Sequence, residues 1–101
     1  IRIEPDYALA YVNRGFIYYH LGYEYNSEEN YKDAIADYSR AIRLDPDYAF
    51  AYKYRGMVKD NTNKSSCSDY KKACDLGDEE SCDWWKSSRE LYIKQYGYYC
   101  K

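Results

Sequence analysis

A segment of eleven residues occurs twice in this chain and constrains its fold more than any other feature. Residues 5–15 read PDYALAYVNRG, and residues 46–56 read PDYAFAYKYRG. The residues before each copy also correspond, since IRIE at 1–4 matches IRLD at 42–45. Self-similarity at a spacing of 41 residues is typical of repeat architectures. One such unit cannot bury its apolar face alone, so the units are expected to stack on one another.

Prolines and glycines divide the chain into five predicted helices. Pro5 and Pro46 mark boundaries, because the residue before a proline is pushed away from helical dihedrals. Gly22 and Gly77 are expected to end helices, since glycine readily takes the left-handed conformation that closes them. The predicted helices span residues 7–21, 31–44, 48–59, 66–76 and about 78–96.

Composition and charge argue against several classes of partner. The formal net charge is -2 and the pI is near 5.4, whereas nucleic-acid binding selects for a basic face. No apolar run approaches the ~20 residues that a membrane span needs, and no signal peptide is recognisable. We therefore expect no nucleic-acid partner, no membrane span and no cofactor.

The recurring aromatic and small residues resemble the tetratricopeptide repeat family of helix-turn-helix units. Each unit of this family has an aromatic residue, Leu-Gly and a second aromatic on helix A. Helix B then has Ala, an aromatic, Ala and a terminal Pro. The matching residues are Tyr11, Gly15, Tyr18, Ala34, Tyr38, Ala41 and Pro46 in the first repeat, and Tyr52, Gly56, Tyr70 and Ala73 in the second. The resemblance implies an all-α fold, a right-handed α-α superhelix of about five antiparallel helices.

The resemblance also implies a division of the chain into units. Residues 1–6 are expected to end an upstream repeat, 7–46 to form the first repeat, 47–77 the second, and 78–101 a C-terminal capping helix and tail. Family units have about 34 residues, so the spacing of 41 leaves seven extra. We assign these to a lengthened loop at residues 23–30, in which Asn26 and Glu29 have the spacing of a capping box.

Residues 73–82, ACDLGDEESC, are similar to Sel1-like repeats, relatives of this family that tie adjacent helices with disulfides. Cys74 and Cys82 flank a predicted turn, so we expect them to form a disulfide. Gly97 is expected to end the fifth helix. Cys67 and Cys100 are a second candidate disulfide, which requires Gly97 to fold the tail back. The alternative is four reduced thiols, two of them packed as small hydrophobes.

The cysteine spacing does not favour a metal site. Structural zinc sites use close pairs of the C-x2-4-C type, and no two cysteines of this chain are that near. Paired cysteines favour an extracytoplasmic compartment, periplasmic or secreted, and unpaired cysteines favour the cytoplasm.

Candidate binding residues lie on the A-helix face away from the packing stripe. In the family this face lines a concave groove that holds extended peptides. The resemblance therefore implies partner-binding roles for Asn13, Phe16, Tyr19, His20, Phe50, Lys53, Tyr54 and Met57. Asn13 stands where the family often grips a ligand backbone, since an amide offers both donor and acceptor. Lys53 stands where carboxylate-binding members place a lysine. The alternative is that these residues pack on an upstream repeat or on the capping helix.

These features predict a non-catalytic protein–protein interaction module that binds a partner peptide or helix in a concave groove. The alternative is a structural or self-assembly unit that docks through its open N-terminal end on another copy or on the rest of a larger chain. No catalytic residue is expected. His20 is a lone histidine without a partnered nucleophile, and S-x-x-K at residues 68–71 lacks the companion motifs of penicillin-binding enzymes.

Overall fold

The computed structural model describes residues 5–62 and 65–96, and these residues form five helices. The helices are α1 (Pro5–Tyr25), α2 (Glu28–Leu44), α3 (Ala49–Asn61), α4 (Cys67–Asp75) and α5 (Glu79–Tyr96). No strand occurs within the two described ranges. The predicted all-α repeat fold of about five helices is therefore confirmed.

Helices α1 and α2 pack against each other through glycines on one helix and tyrosine rings on the other. A methyl group added to Gly15 would lie 2.8 Å from Cε1 of Tyr38, and one added to Gly22 would lie 2.7 Å from Cδ1 of Tyr31. Gly22 is seven residues after Gly15 in α1, whereas its partner Tyr31 is seven residues before Tyr38 in α2. The two helices are therefore antiparallel. Any side chain at either glycine would collide with a ring, so glycine permits this close approach.

The second pair of helices repeats this packing, because Gly56 of α3 faces the ring of Tyr70 of α4. Helices α1 and α3 run in the same direction. The Tyr19 hydroxyl accepts a hydrogen bond of 3.0 Å from the Asn61 amide, 42 positions later. Since this separation is close to the sequence repeat, equivalent parts of the two A-type helices lie side by side. Helix α2 packs against both of them, since its core residues share one cluster with residues of α1 and α3.

Each helix pair also carries a buried aspartate that an arginine binds through two hydrogen bonds. The Nε and Nη2 atoms of Arg14 donate to the Asp37 carboxylate at 2.8 Å each. Arg55 makes the equivalent bonds to Asp69 at 2.9 and 2.7 Å. The aspartate side chains are 0% and 3% exposed, and a buried carboxylate requires such partners. The hydrogen bonds and charge of Asp37 raise the pKa of Arg14.

The predicted loop at residues 23–30 is wrong, because α1 continues to Tyr25 and α2 already begins at Glu28. Gly22 lies inside α1, where it makes room for a ring of α2, and does not end the helix. Helix α1 also begins at Pro5, earlier than predicted, since proline fits the first turn of a helix. Helices α1 and α2 have 21 and 17 residues, against 13 and 9 in α3 and α4. The extra residues of the first repeat therefore lengthen its helices.

A compact turn of two residues joins α1 to α2. Asn26 takes the left-handed conformation, with φ of 51°. The Ser27 N–H donates to the Gly22 carbonyl at 3.0 Å, which is the helix closure of a Schellman motif. The Ser27 hydroxyl then accepts a hydrogen bond from the Asn30 N–H. Ser27 therefore caps α2, and the predicted capping box of Asn26 and Glu29 is wrong.

Gly77 ends α4, as predicted, in a second Schellman turn. It has φ of 107°, and the Asp78 N–H donates to the Ala73 carbonyl at 3.0 Å. This turn brings α4 and α5 together, and the structure joins Cys74 and Cys82 across it in a disulfide. Whether this bond forms in the isolated protein stays a prediction.

Cys67 is the first residue of α4 and is buried. No cysteine among the described residues is a free thiol. The predicted partner Cys100, and Gly97 as the expected end of α5, lie outside the described residues. The pairing of Cys67 with Cys100 therefore also stays a prediction, as does the division of the chain into repeats.

Candidate partner-binding site

Four rings form a continuous row across α1 and α3. The ring centroid of Phe16 lies 4.4 Å from that of His20 and 5.5 Å from that of Tyr54, and Tyr54 stacks on Phe50 at 6.1 Å. Positions 16 and 20, like 50 and 54, are four residues apart, so each pair shares one face of its helix. We call these four residues the aromatic row.

The aromatic row leaves much apolar surface in contact with solvent. Phe16 is 39% exposed and Phe50 is 48% exposed. Aromatic residues are enriched at protein interfaces, where they supply large contact areas with few rotatable bonds. A row of contacting rings, three of them exposed and Tyr54 half-buried, is therefore typical of an interaction surface.

A cavity of about 400 Å³ lies next to the aromatic row, where four helices meet. Tyr19 lines this cavity, and its ring centroid is 5.8 Å from that of His20. We call this cavity the interhelix cavity. Its lining residues are Tyr19 of α1, Met57, Asp60 and Asn61 of α3, Tyr70 of α4, and Trp84 and Ser87 of α5. This volume is within the range of ordinary small-ligand sites.

Hydrogen bonds and ring contacts fix the wall of the interhelix cavity. The Asn61 amide donates to the Tyr19 hydroxyl at 3.0 Å, which ties α3 to α1. The Tyr70 hydroxyl donates to the Asp60 carboxylate, and the Tyr70 ring lies 5.4 Å from that of Trp84. Burial, together with the bond to Asp60 and its charge, raises the pKa of Tyr70. Tyr70 therefore remains a hydrogen-bond donor to Asp60 at neutral pH.

The structure gives Lys53 partners within the chain, which differs from its predicted role toward an acidic ligand. Its Nζ lies 2.7 Å from Glu80 and 3.6 Å from Asp78, and its side chain is 12% exposed. The same ammonium lies 5.2 Å from the ring centroid of Trp84. Burial lowers the pKa of Lys53, but the hydrogen bond to Glu80 and the two acidic charges outweigh it, so the pKa is raised. Lys53 thus fastens α3 to α5, and we do not include it in the proposed binding surface.

Asn13 is exposed on α1, three residues before Phe16 and so on a neighbouring part of the same helix surface. The residue 41 positions later, Tyr54, packs on Tyr38 of α2 at 5.9 Å between centroids. On α3 this position faces the preceding helix, α2. The corresponding side of α1, where Asn13 lies, is the side that an upstream helix would contact. Both predicted alternatives, a groove contact and a packing contact with an upstream repeat, are compatible with this position.

The structure thus brings most of the predicted residues into two neighbouring features. Phe16, His20, Phe50 and Tyr54 form the aromatic row, while Tyr19 and Met57 line the cavity. Sequence reasoning missed the remaining cavity residues, which are Asp60, Asn61, Tyr70, Trp84 and Ser87. Asp60 and Asn61 have the composition of a turn, and no local signal places them near α5.

A second exposed surface lies on the outer side of α1. Ala51 and Val58 of α3 are completely buried, whereas the residues 41 positions earlier, Ala10 and Ile17, are exposed, Ile17 by 59%. Tyr7 on the same side is 62% exposed. We call Tyr7, Ala10 and Ile17 the outer face of α1. Its equivalents on α3, Ala51 and Val58, belong to the core cluster that also contains Ala34, Tyr38 and Ala41 of α2.

Other classes of site have little support in the described ranges. Across residues 5–62 and 65–96, no group of three His, Cys, Asp or Glu side chains is arranged to hold a metal ion. None of the helices there is both long and apolar enough to cross a membrane.

The tetratricopeptide repeat family model matches residues 16–48. This stretch runs from the aromatic row on α1, through all of α2, to the residue before α3, about a third of the chain. No curated protein and no solved structure matches the chain significantly, and the Sel1-like resemblance of the C-terminal part stays a prediction. The match supports a tetratricopeptide repeat protein, from a family whose repeats are generally protein–protein interaction modules and typically not catalysts.

Proposed function

We propose that this chain is a non-catalytic interaction module that binds an extended peptide segment of a partner protein across the aromatic row. The observation that carries the proposal is the aromatic row itself, four rings in contact across two neighbouring helices, with Phe16 and Phe50 substantially exposed. Burying these rings under a partner would remove apolar surface from water, which is the main favourable term in association.

The spacing of the rings suits an extended chain. The Tyr54 centroid lies 5.5 Å from that of Phe16 and 6.1 Å from that of Phe50, and same-side residues of an extended segment recur about every 6.6 Å. Alternate side chains of the partner would therefore meet these three rings in turn. The exposed amide of Asn13 can donate to and accept from a peptide unit of the same segment. An interface of this kind is expected to depend on a few aromatic residues.

Panning a random peptide library against the protein tests the proposal without a known partner. Phe16→Ala and Phe50→Ala should each weaken the selected peptides about tenfold, because each removes one buried ring. Tyr23→Ala is the matched control, since this ring is 69% exposed on α1 and lies outside the aromatic row. Failure to enrich any peptide, or equal losses for Phe16→Ala and Tyr23→Ala, would reject the proposal.

Asn13→Ala separates a groove contact from a packing contact. We expect this variant to weaken the selected peptides about tenfold and to leave the thermal midpoint nearly unchanged, because the side chain is exposed. A variant that instead unfolds at lower temperature and binds normally would assign Asn13 to packing.

A second candidate function is assembly through the outer face of α1. It is favoured by the exposure of Ala10 and Ile17, whose equivalents on α3 are fully buried in a core cluster shared with α2. A helix with the character of α2, from another copy or from a larger chain, would cover this face in the same way. Sedimentation velocity over a concentration series should then show association that Ile17→Lys abolishes. A wild-type protein that stays monomeric throughout would reject self-assembly.

A further inference from the structure

We propose that the interhelix cavity receives a cationic side chain, lysine or arginine, from the peptide that crosses the aromatic row. This inference rests on the proposed function and deepens it by naming the chemistry of the partner. The cavity and the aromatic row adjoin through Tyr19 and His20, whose rings are 5.8 Å apart. One peptide can therefore reach both.

Three aromatic rings line the interhelix cavity, those of Tyr19, Tyr70 and Trp84. The face of an aromatic ring is electronegative, and it attracts an ammonium or guanidinium group within about 6 Å of its centre. Trp84 supplies the strongest such ring type. The alkyl stem of a lysine would contact the thioether of Met57 while its head group meets these rings.

The charge of the cavity has the sign that such a ligand requires. Asp60 is the one formally charged residue among the described residues that line it. Its carboxylate accepts hydrogen bonds from Ser66 and Tyr70, and an ionised carboxylate has lone pairs for further donors. Whereas the buried Asp37 and Asp69 are each matched by an arginine, no described cation lies within ion-pair distance of Asp60.

One lysine of the chain is already bound by an aromatic ring together with a carboxylate. The Lys53 ammonium lies 5.2 Å from the Trp84 centroid and is bonded to Glu80 at 2.7 Å. Because Glu80 and Asp78 neutralise Lys53, its charge does not oppose a second cation near the same indole. The interhelix cavity offers the equivalent partners, aromatic rings and the carboxylate of Asp60, to a cation from outside the chain.

Titration with two probes that differ only in a terminal ammonium group tests the charge requirement. We expect N-acetyl-lysine methylamide to shift the Trp84 indole N–H resonance with an affinity about tenfold higher than that of N-acetyl-norleucine methylamide. Asp60→Asn should remove this preference, because it deletes the charge and keeps an oxygen for Tyr70. Asp33→Asn, at an exposed position of α2, is the matched control and should keep the preference. Equal affinity for the two probes, or no binding of either, would overturn the proposal.

The source of the cation is tested with a third probe and with the panned peptides. Peptides selected by the wild-type protein should carry lysine or arginine at one fixed position, and those selected by Asp60→Asn should not. Tighter binding of tetramethylammonium than of the lysine probe would point to a free quaternary ammonium and overturn the peptide assignment. Peptides whose binding depends on Phe16 but that carry no fixed basic residue would contradict this inference and still support the proposed function. Lysine binding without peptide enrichment would reject the proposed function and the peptide as the source of the cation, and would leave only the preference of the cavity for a cation.

Discussion

The hydroxyl groups of two equivalent tyrosines have opposite surroundings, so their removal should have opposite effects on stability. The rings of Tyr38 and Tyr70 occupy the same place in successive helix pairs, each against a glycine of the A-type helix. The Tyr38 hydroxyl is buried and has no hydrogen-bond partner among the described residues. The Tyr70 hydroxyl donates to the Asp60 carboxylate.

The expected magnitudes follow from these surroundings. A buried polar group without a partner costs about 1–3 kcal/mol, so Tyr38→Phe should raise the free energy of unfolding by about 1 kcal/mol. A hydrogen bond to a charged group contributes about 1.5–3 kcal/mol. Tyr70→Phe should lower the free energy of unfolding by about 1.5 kcal/mol, the lower end of that range, because the exposed Asp60 keeps its bond to Ser66 and can be hydrated.

Thermal and urea unfolding, followed by circular dichroism, measures both effects. In a domain of this size about 1 kcal/mol corresponds to about 4–8 °C in the thermal midpoint. The thermal midpoints of the two variants should therefore differ by about 10 °C or more, and that of Tyr38→Phe should be the higher. Tyr23→Phe, which removes an exposed hydroxyl, is the control and should stay within about 0.5 kcal/mol of the wild type.

A particular result would refute this reasoning. If Tyr38→Phe and Tyr70→Phe destabilise the protein equally, the Tyr38 hydroxyl has a partner in solution, such as a bound water, and the difference between the two repeats does not exist.

Three further perturbations test the packing, the pH dependence and the disulfide. Gly15→Ala should lower stability by about 1–2 kcal/mol, since overpacking against the Tyr38 ring outweighs a gain of about 1 kcal/mol in helix propensity; recovery in a double variant with Tyr38→Leu is the check, and a stabilised Gly15→Ala would contradict it. Burial raises the pKa of Asp78, but hydrogen bonds from Ser81 and the charge of Lys53 outweigh it and the net pKa is lowered. Its ionised form therefore stabilises the fold above the ordinary pKa of 3.8, and this contribution is lost as the pH falls through the folded-state value. Urea titrations from about pH 6 to about pH 3 should show a smaller loss of stability for Asp78→Asn than for the wild type, and equal slopes would count against the assignment. Alkylation of the unreduced, denatured protein should leave Cys74 and Cys82 unmodified in the intact mass, and reduction should cost about 2–3 kcal/mol; labelling of both cysteines would exclude the bond.

The helices could be predicted from the sequence because their signals are local. The repeated aromatic and small residues define helix faces, and Gly77 correctly marks the end of α4. Gly22 does not end α1 as predicted, because glycine can either end a helix or make room for a ring that packs against it. Whether it ends a helix or admits a ring depends on Tyr31, which meets it only after α2 has folded back. Asn26 instead provides the left-handed residue of the Schellman motif that ends α1, since asparagine also tolerates this conformation.

The candidate site was predicted in part for the same reason. Helix periodicity placed Phe16, Tyr54 and their neighbours on one face, and they do form a row of contacting rings. The partners of Lys53 and the residues around Asp60 depend on where α5 lies, which no local pattern gives. One usable signal was overlooked. Arg precedes Gly and Asp precedes Tyr in both repeats, and these arginines bind the two buried aspartates.

The unequal lengths of the helices have a consequence for any molecule that lies across α1 and α3. Helix α3 ends at Asn61, which is equivalent to position 20 of α1, yet α1 continues for five more residues, to Tyr25. At 1.5 Å per residue, α1 therefore extends about 7.5 Å beyond the end of α3 along the helix axis. Over this last stretch a ligand that follows the two helices contacts α1 without contacting α3. The helical support for a ligand thus narrows from two helices to one at the end near the interhelix cavity.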